Sequence, residues 1–314
     1  MELIGILIIY LVAAVDNRAE VGRRVRHIGL DEGNAPCYCS CRLLCATAGT
    51  RKNPAAGHSR VQELSRNMKT FGTLLFRTAR IAVLAVVFVL GLAVLLNFLP
   101  VKESLSKYAV HAGMLLAAWI CAKFFDRMSL RELGLSSVRK DYRHLLFGGG
   151  LAFLTSVLMG AGMILTGEME QDHFKTIRTD PPQMLDTLLF CIWIGFAEEL
   201  LFRGYFLSLW RKYGKIYPGI IVSALLFSAM HILNPSYGPL AFLAAFAIGL
   251  LYGYMFLAAG NLWIPIGHHI VWNFCQMLFF PPEGGEVAAL ILVAASFPIL
   301  FVYFRRQKRA KLRL

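Results

Sequence analysis

The stretch Phe196-Ala-Glu-Glu-Leu-Leu-Phe-Arg-Gly204 places three charged side chains inside an otherwise apolar segment, residues 184–210, that is predicted to be helical. One charged side chain at the centre of a bilayer costs about 2.5–3.5 kcal/mol on insertion scales, so three facing lipid would cost on the order of 8–10 kcal/mol. Glu198, Glu199 and Arg203 must therefore face protein partners or a wet cavity. The stretch predicts a polar centre inside a bundle of membrane helices.

Helix geometry assigns different directions to the two glutamates. Neighbouring residues of an α-helix lie about 100° apart, so Glu198 and Glu199 cannot point the same way. Arg203 follows Glu199 by four residues and lies on the same face, within pairing distance. The spacing predicts a Glu199–Arg203 ion pair and leaves Glu198 as the chemically available carboxylate.

The composition is that of an integral membrane protein. Of 314 residues, 57% are hydrophobic, whereas soluble domains contain about 45–50% apolar residues. The formal net charge is +13, but the basic residues flank apolar segments, as the positive-inside rule describes. We therefore expect a lipid bilayer as the main partner and no nucleic-acid binding.

Apolar segments of about bilayer length recur along the chain and predict an all-α, polytopic membrane helix bundle with about eight transmembrane helices. Several contain Gly and Pro, which membrane helices tolerate. The predicted spans are 81–99, 108–125, 144–166, 184–210, 216–234, 238–258, 261–280 and 287–304.

The charged loops predict an orientation. With eight spans, all the basic clusters fall on one side, which the positive-inside rule makes cytoplasmic. The acidic loops, 167–183 and 281–286, fall on the other side. We expect a multi-pass protein of the plasma (inner) membrane with both termini in the cytoplasm.

The chain divides into three parts by composition. Residues 1–70 are predicted to form a poorly structured N-terminal extension, since residues 16–67 lack periodicity. Met68-Lys-Thr-Phe leads directly into the first span, which suggests a natural start at Met68 that would leave residues 1–67 outside the natural protein. Residues 71–305 are expected to form one membrane-embedded domain with its motif core at 184–280, followed by a basic cytoplasmic tail, 306–314.

The seven cysteines fall into two groups. Four crowd the N-terminal extension with spacing C-x-C-x-C-x3-C, which differs from the paired C-x2-C of zinc sites. We favour free thiols over a metal site there. The other three are isolated within apolar spans, where we expect them to act as small packing residues. The tail group is Cys37, Cys39, Cys41 and Cys45, and the span group is Cys121, Cys191 and Cys275.

The later spans carry further polar residues. His231 lies four residues after Phe227 in the fifth span. In the seventh span His269 and Asn273 are four apart and share a face, while His268 points about 100° away. Three helices can thus direct Glu198, His231, His269 and Asn273 toward one interior point.

Together, these side chains have the chemical groups needed to catalyse amide hydrolysis. A carboxylate and an imidazole sharing a water can make it a nucleophile. A second imidazole and an amide can stabilise an oxyanion. Alternatively, Glu198, His231 and His269 could hold a divalent metal such as zinc with one open position. A structural role in helix–helix hydrogen bonding and a proton or ion pathway are the other interpretations.

Three motifs in this chain together resemble the signature of the CPBP family. They are Glu198-Glu199-x-x-x-Arg203, Phe227-x-x-x-His231 and His269-x-x-x-Asn273. These are intramembrane metalloproteases of the CAAX prenyl protease and bacteriocin-processing (Abi-like) type. The resemblance extends over about residues 130–280 and includes Leu130-Arg-Glu-Leu-Gly-Leu135 before the third span.

The resemblance implies roles for the individual residues. Glu198 with His231 would activate the attacking water, and His269 with Asn273 would form the oxyanion hole. Glu199 and Arg203 would support the site, and Phe227 would pack under His231. The implied function is an endopeptidase acting on a membrane-associated peptide or protein. A non-catalytic immunity or scaffold protein of the same fold is the alternative, and an ion-coupled transporter is a weaker one.

Overall fold

The structure is a computed structural model that describes residues 54–96, 98, 102–170, 173, 180–232, 234, 237–281 and 284–311. The described part of the chain forms eight helices and contains no β-strand, which confirms the all-α prediction. The helices are α1 (Pro54–Leu96), α2 (Lys102–Ile120, continued by Cys121–Phe125), α3 (Val138–Thr166), α4 (Pro181–Glu199, continued by Leu200–Leu207 and Ser208–Lys212), α5 (Ile216–Met230), α6 (Pro239–Ala259), α7 (Trp263–Phe279) and α8 (Glu286–Lys311).

Each helix corresponds to one predicted apolar span. Five helices (α1, α2, α3, α6 and α8) are long and apolar enough to cross a bilayer, and α5 is a shorter apolar helix. These helices indicate a multi-pass membrane protein. The number of spans beyond five and the cytoplasmic placement of both termini remain predictions.

The first helix starts earlier than the predicted first span. It begins at Pro54, so residues 54–70 of the predicted N-terminal extension are helical. Residues 1–53, which include the four tail cysteines, lie outside the described residues. Met68, the suggested natural start, is an exposed residue within α1.

Glycines allow the backbone of α7 to pack directly against the backbones of two other helices, α3 and α4. A Cβ added at Gly148 of α3 would lie 2.1 Å from the carbonyl oxygen of Ile264, and one at Gly267 would lie 2.1 Å from that of Leu145. On α4, a Cβ at Gly195 would lie 2.9 Å from Ile270 Cγ1. Small residues at helix crossings are typical of membrane bundles. They place α7 close to the part of α4 that carries the two glutamates.

A buried ionic cluster ties α1 to the end of α2 and to α4. Asp126 accepts hydrogen bonds from Arg77 Nη1 and Arg80 Nη2, both at 2.6 Å. The hydroxyl of Tyr205, in α4, also donates to Asp126. The two arginines, which directly precede the first predicted span, therefore link three helices.

The loop before α3 fastens the start of α7 to α4. Gly134 has φ +81° and a Cβ there would lie 2.4 Å from the Phe256 ring. Its carbonyl accepts from the backbone N–H of Leu262 at 3.0 Å. The Leu133 carbonyl oxygen lies 3.1 Å from where a Cβ of Gly204 would be. Only glycine suits both the backbone conformation and the space at position 134.

Candidate active site

Helix α4 changes its winding directly after the two glutamates. Residues Leu200–Leu207 are π-helical, whereas the sequence predicted a regular α-helix throughout. Wider winding disturbs the regular pairing of carbonyl groups, and two hydroxyls compensate. Ser223 of α5 donates to the Phe202 carbonyl at 2.8 Å, and Ser208 donates to the Arg203 carbonyl at 3.5 Å. Short π-helical stretches occur frequently at functional sites.

The ion pair predicted from the four-residue spacing is present in spite of the π-helical winding. Arg203 Nη1 donates to Glu199 Oε1 at 2.6 Å, and both side chains are 0% exposed. Arg203 Nη2 donates to the Gly249 carbonyl at 3.1 Å. The guanidinium carbon also lies 4.5 Å from the centre of the Phe227 ring. The arginine thus links α4 to α5 and α6 beneath the site.

His269 contacts both glutamates. Its Nδ1 lies 3.0 Å from Glu199 Oε1, and its Nε2 lies 3.7 Å from Glu198 Oε2. Because an ionised carboxylate only accepts, Nδ1–H donates to Glu199. The other histidine of α7, His268, turns away and lies within hydrogen-bonding distance of the Tyr252 hydroxyl, 3.2 Å from its Nδ1. The structure thus brings His269, rather than His268, to the two glutamates, and the role of His269 in the site remains a prediction.

Glu198 is almost fully buried, at 3% exposure. Its Oε2 is a buried atom with no hydrogen-bond partner among the described residues. Its Oε1 lies 3.2 Å from Nε2 of His111, a residue of α2. The sequence motifs do not include His111. The available signal was a single ionisable residue in an apolar span, which in a membrane protein is itself a functional hypothesis.

His231 lies at the edge of this cluster. It directly follows the last residue of α5, and its Nδ1 lies 2.8 Å from the Phe227 carbonyl oxygen. The Phe227 ring separates the two histidines, with ring centres 5.1 Å from His231 and 5.9 Å from His269. Phe227 therefore packs between both imidazoles and over Arg203.

Asn273 lies one turn after His269 on α7 and is half-buried. Among the described residues its side chain forms no hydrogen bond. The structure brings Glu198, Glu199, Arg203 and His269 into direct contact. Asn273 is on the predicted helix face, and its part in the site remains a prediction.

The proposed metal ligands do not form a metal-binding group. In the part of the chain that the structure describes, no three His, Cys, Asp or Glu side chains are arranged to hold a metal ion. His269 Nδ1 donates to Glu199, and His231 Nδ1 faces a backbone carbonyl. The possible metal at Glu198, His231 and His269 thus gains no support from the described residues and stays a prediction.

The comparison with known families identifies the same part of the chain. Residues 180–275 match the family described as Type II CAAX prenyl endopeptidase Rce1-like. The match begins at the start of α4 and ends within α7, so it contains both glutamates, His231 and both histidines of α7. It confirms the resemblance to CPBP proteases over this segment, which is less than half of the chain. No curated protein matches the chain.

Proposed function

We propose that this protein is an intramembrane endopeptidase that hydrolyses a peptide bond of a membrane-associated protein or peptide. The observation that carries the proposal is a buried carboxylate, Glu198, with one unpartnered oxygen facing the imidazole of His269. The family match over residues 180–275 supports the same activity. The multi-pass architecture supports a substrate that reaches the site from the bilayer or its surface.

Glu198 acts as the general base in this proposal. A water at the free Oε2 would give up a proton to the carboxylate as its oxygen attacks the peptide carbonyl. The protonated carboxyl group would then pass this proton to the leaving amine as the C–N bond breaks. His231, at the edge of the cluster, would hold the same water from its other side. The low exposure of Glu198 keeps bulk water away, which strengthens each electrostatic interaction at the site.

His269 and Asn273 would stabilise the negative charge that develops on the carbonyl oxygen. The Nδ1–H of His269 is committed to Glu199, so this role needs a second proton on Nε2. A donor of this kind contributes about 2.7–4 kcal/mol to transition-state stabilisation. Glu199 and Arg203 would hold the imidazole in place.

The family description points to a substrate class. Type II CAAX prenyl endopeptidases give the first candidates, namely peptides that end in a prenylated cysteine followed by three residues. Peptides without a lipid, as in bacteriocin processing, are the second class. A prenyl chain would bring the scissile bond to the membrane surface by adding buried apolar groups.

The test uses purified protein in liposomes and two fluorogenic peptides of identical sequence, one carrying the prenyl group and one lacking it. Wild-type protein should cleave the prenylated peptide, and Glu198→Gln should lose cleavage because an amide cannot accept the proton. Glu170→Gln, a change at an exposed glutamate, should cleave like wild type. Equal cleavage by wild type and Glu198→Gln would contradict the proposal.

The non-catalytic alternative makes the opposite prediction for the same variant. An immunity or scaffold protein of this fold needs the helices but not the base, so cells carrying Glu198→Gln would keep the wild-type phenotype. A transporter would move solute across the liposome membrane and release no peptide fragment.

A further inference from the structure

Among the residues that the structure describes, His111 is the one contact of the Glu198 carboxylate that comes from outside the matched segment. It belongs to α2, whereas the family match begins at residue 180. Its Nε2 lies 3.2 Å from Glu198 Oε1, and its side chain is 12% exposed. A histidine here is thus an addition to the motif residues on α4, α5 and α7.

The packing of α2 on α4 fixes the position of this imidazole. Its ring meets Phe190 edge-to-face, with ring centres 6.1 Å apart. One turn earlier, the Tyr108 carbonyl accepts from Trp193 Nε1 at 3.2 Å. Both partners belong to α4, one and two turns before Glu198. The register of the two helices therefore places His111 beside the carboxylate.

The surroundings of the ring determine which nitrogen carries the proton. His111 Nδ1 is a buried atom without a hydrogen-bond partner among the described residues. A proton on Nδ1 would leave a buried donor unpaired and turn the Nε2 lone pair toward a carboxylate. A proton on Nε2 allows donation to Glu198 Oε1. The Nε2–H form is therefore the one that this geometry favours.

We propose that His111 is a positioning residue that donates a hydrogen bond to Glu198 Oε1 and leaves Oε2 as the oxygen that takes the proton from water. Oε1 is then engaged and Oε2 faces His269, 3.7 Å away. A carboxylate held at one oxygen presents a single basic atom in one direction, which is the pre-organisation that catalysis requires. The catalytic part of this inference rests on the endopeptidase function proposed above.

The first test needs no substrate. Infrared difference spectra recorded on acidification contain the C=O stretch of protonated Glu198, which is identified as the band missing in Glu198→Gln. Because a hydrogen bond to a carboxyl group lowers this frequency, His111→Phe should raise it while keeping a ring against Phe190. His111→Gln, which retains an N–H donor, should restore it. The same frequency in all three proteins would overturn the inference whether or not the protein is a protease.

The second test uses the prenylated fluorogenic peptide. His111→Phe should lower kcat about 10- to 100-fold with KM nearly unchanged, because a charge-assisted hydrogen bond to the base is lost and substrate binding is untouched. His111→Gln should recover most of the rate. His144→Phe is the matched control, since His144 is 14% exposed and bonded to Asn261, away from the glutamates.

The outcomes separate the two proposals. If wild type cleaves, Glu198→Gln does not, and His111→Phe is as fast as wild type, the positioning role is wrong while the protease stands. A rate loss shared equally by His111→Gln and His111→Phe would also overturn it, because it would require the imidazole itself rather than an N–H donor. If wild type cleaves nothing, the infrared comparison alone decides whether His111 holds Glu198.

Discussion

Removal of Arg203 should destabilise the protein strongly, because it leaves a fully buried carboxylate without its cation. Arg203 and Glu199 are both 0% exposed and lie 2.6 Å apart. Breaking a buried ion pair by deleting one partner costs about 3–5 kcal/mol. Arg203→Ala also loses the bond to the Gly249 carbonyl and the contact with the Phe227 ring. The population of unfolded protein relative to folded protein should rise by a factor of roughly 10² to 4 × 10³.

Three buried free thiols provide the assay. Cys121, Cys191 and Cys275 are buried, so a thiol-reactive dye labels them only as the helices separate on heating in detergent. The four tail cysteines are replaced by serine in every protein compared. The midpoint temperature of thermal unfolding should be lower in Arg203→Ala than in wild type by on the order of 10 °C. The double variant Glu199→Leu, Arg203→Met removes both charges together, so its unfolding midpoint should fall by less than that of Arg203→Ala.

Two results would refute this argument. A midpoint for Arg203→Ala equal to that of wild type would mean that the buried pair adds nothing to stability. A double variant less stable than Arg203→Ala would mean that the unpaired charge is not the source of the cost. Lost cleavage with a wild-type midpoint would instead give Arg203 a direct part in the reaction.

Three other changes test the packing and the chemistry. Gly148→Ala should lower the thermal unfolding midpoint and the cleavage rate, because its Cβ would lie 2.1 Å from the Ile264 carbonyl oxygen. Gly150→Ala has open space around its Cβ, so its unfolding midpoint should match or slightly exceed that of wild type. Equal decreases in both variants would contradict the close crossing of α3 and α7. Asp126→Asn should destabilise the protein by about 1.5–3 kcal/mol in the dye assay, because the bonds to Arg77 and Arg80 lose their charged acceptor. An unfolding midpoint equal to that of wild type would mean that this ionic cluster does not stabilise the protein. The mechanism proposed above needs no metal, so a metal chelator should leave cleavage of the prenylated peptide intact. Lost cleavage that added zinc restores would instead support a metal at Glu198, His231 and His269.

The helices could be predicted from the sequence because hydropathy alone limits where a chain can cross a bilayer. Each predicted span has its helix, since long apolar runs have no other stable conformation in lipid. The Glu199–Arg203 pair and the choice of His269 followed from the spacing of residues within single helices. Such relations need only the geometry of one helix.

Contacts between helices could not be predicted in this way. His111 stands alone in α2, and only the packing of α2 on α4 brings it to Glu198. Arg80 directly precedes the first predicted span, yet its bond to Asp126 links residues 46 apart in the chain. The π-helical winding of Leu200–Leu207 depends in part on the hydroxyl of Ser223 in another helix. Each of these features needs the tertiary structure.

The most direct test of the central claim requires no guess about the substrate. Membranes from cells that carry wild type, Glu198→Gln or Glu170→Gln are compared for the peptide termini of all their proteins. The account predicts at least one new terminus that is present with wild type and Glu170→Gln and missing with Glu198→Gln, at equal amounts of the three proteins. Identical termini in all three membranes would contradict a protease that uses Glu198 as its base.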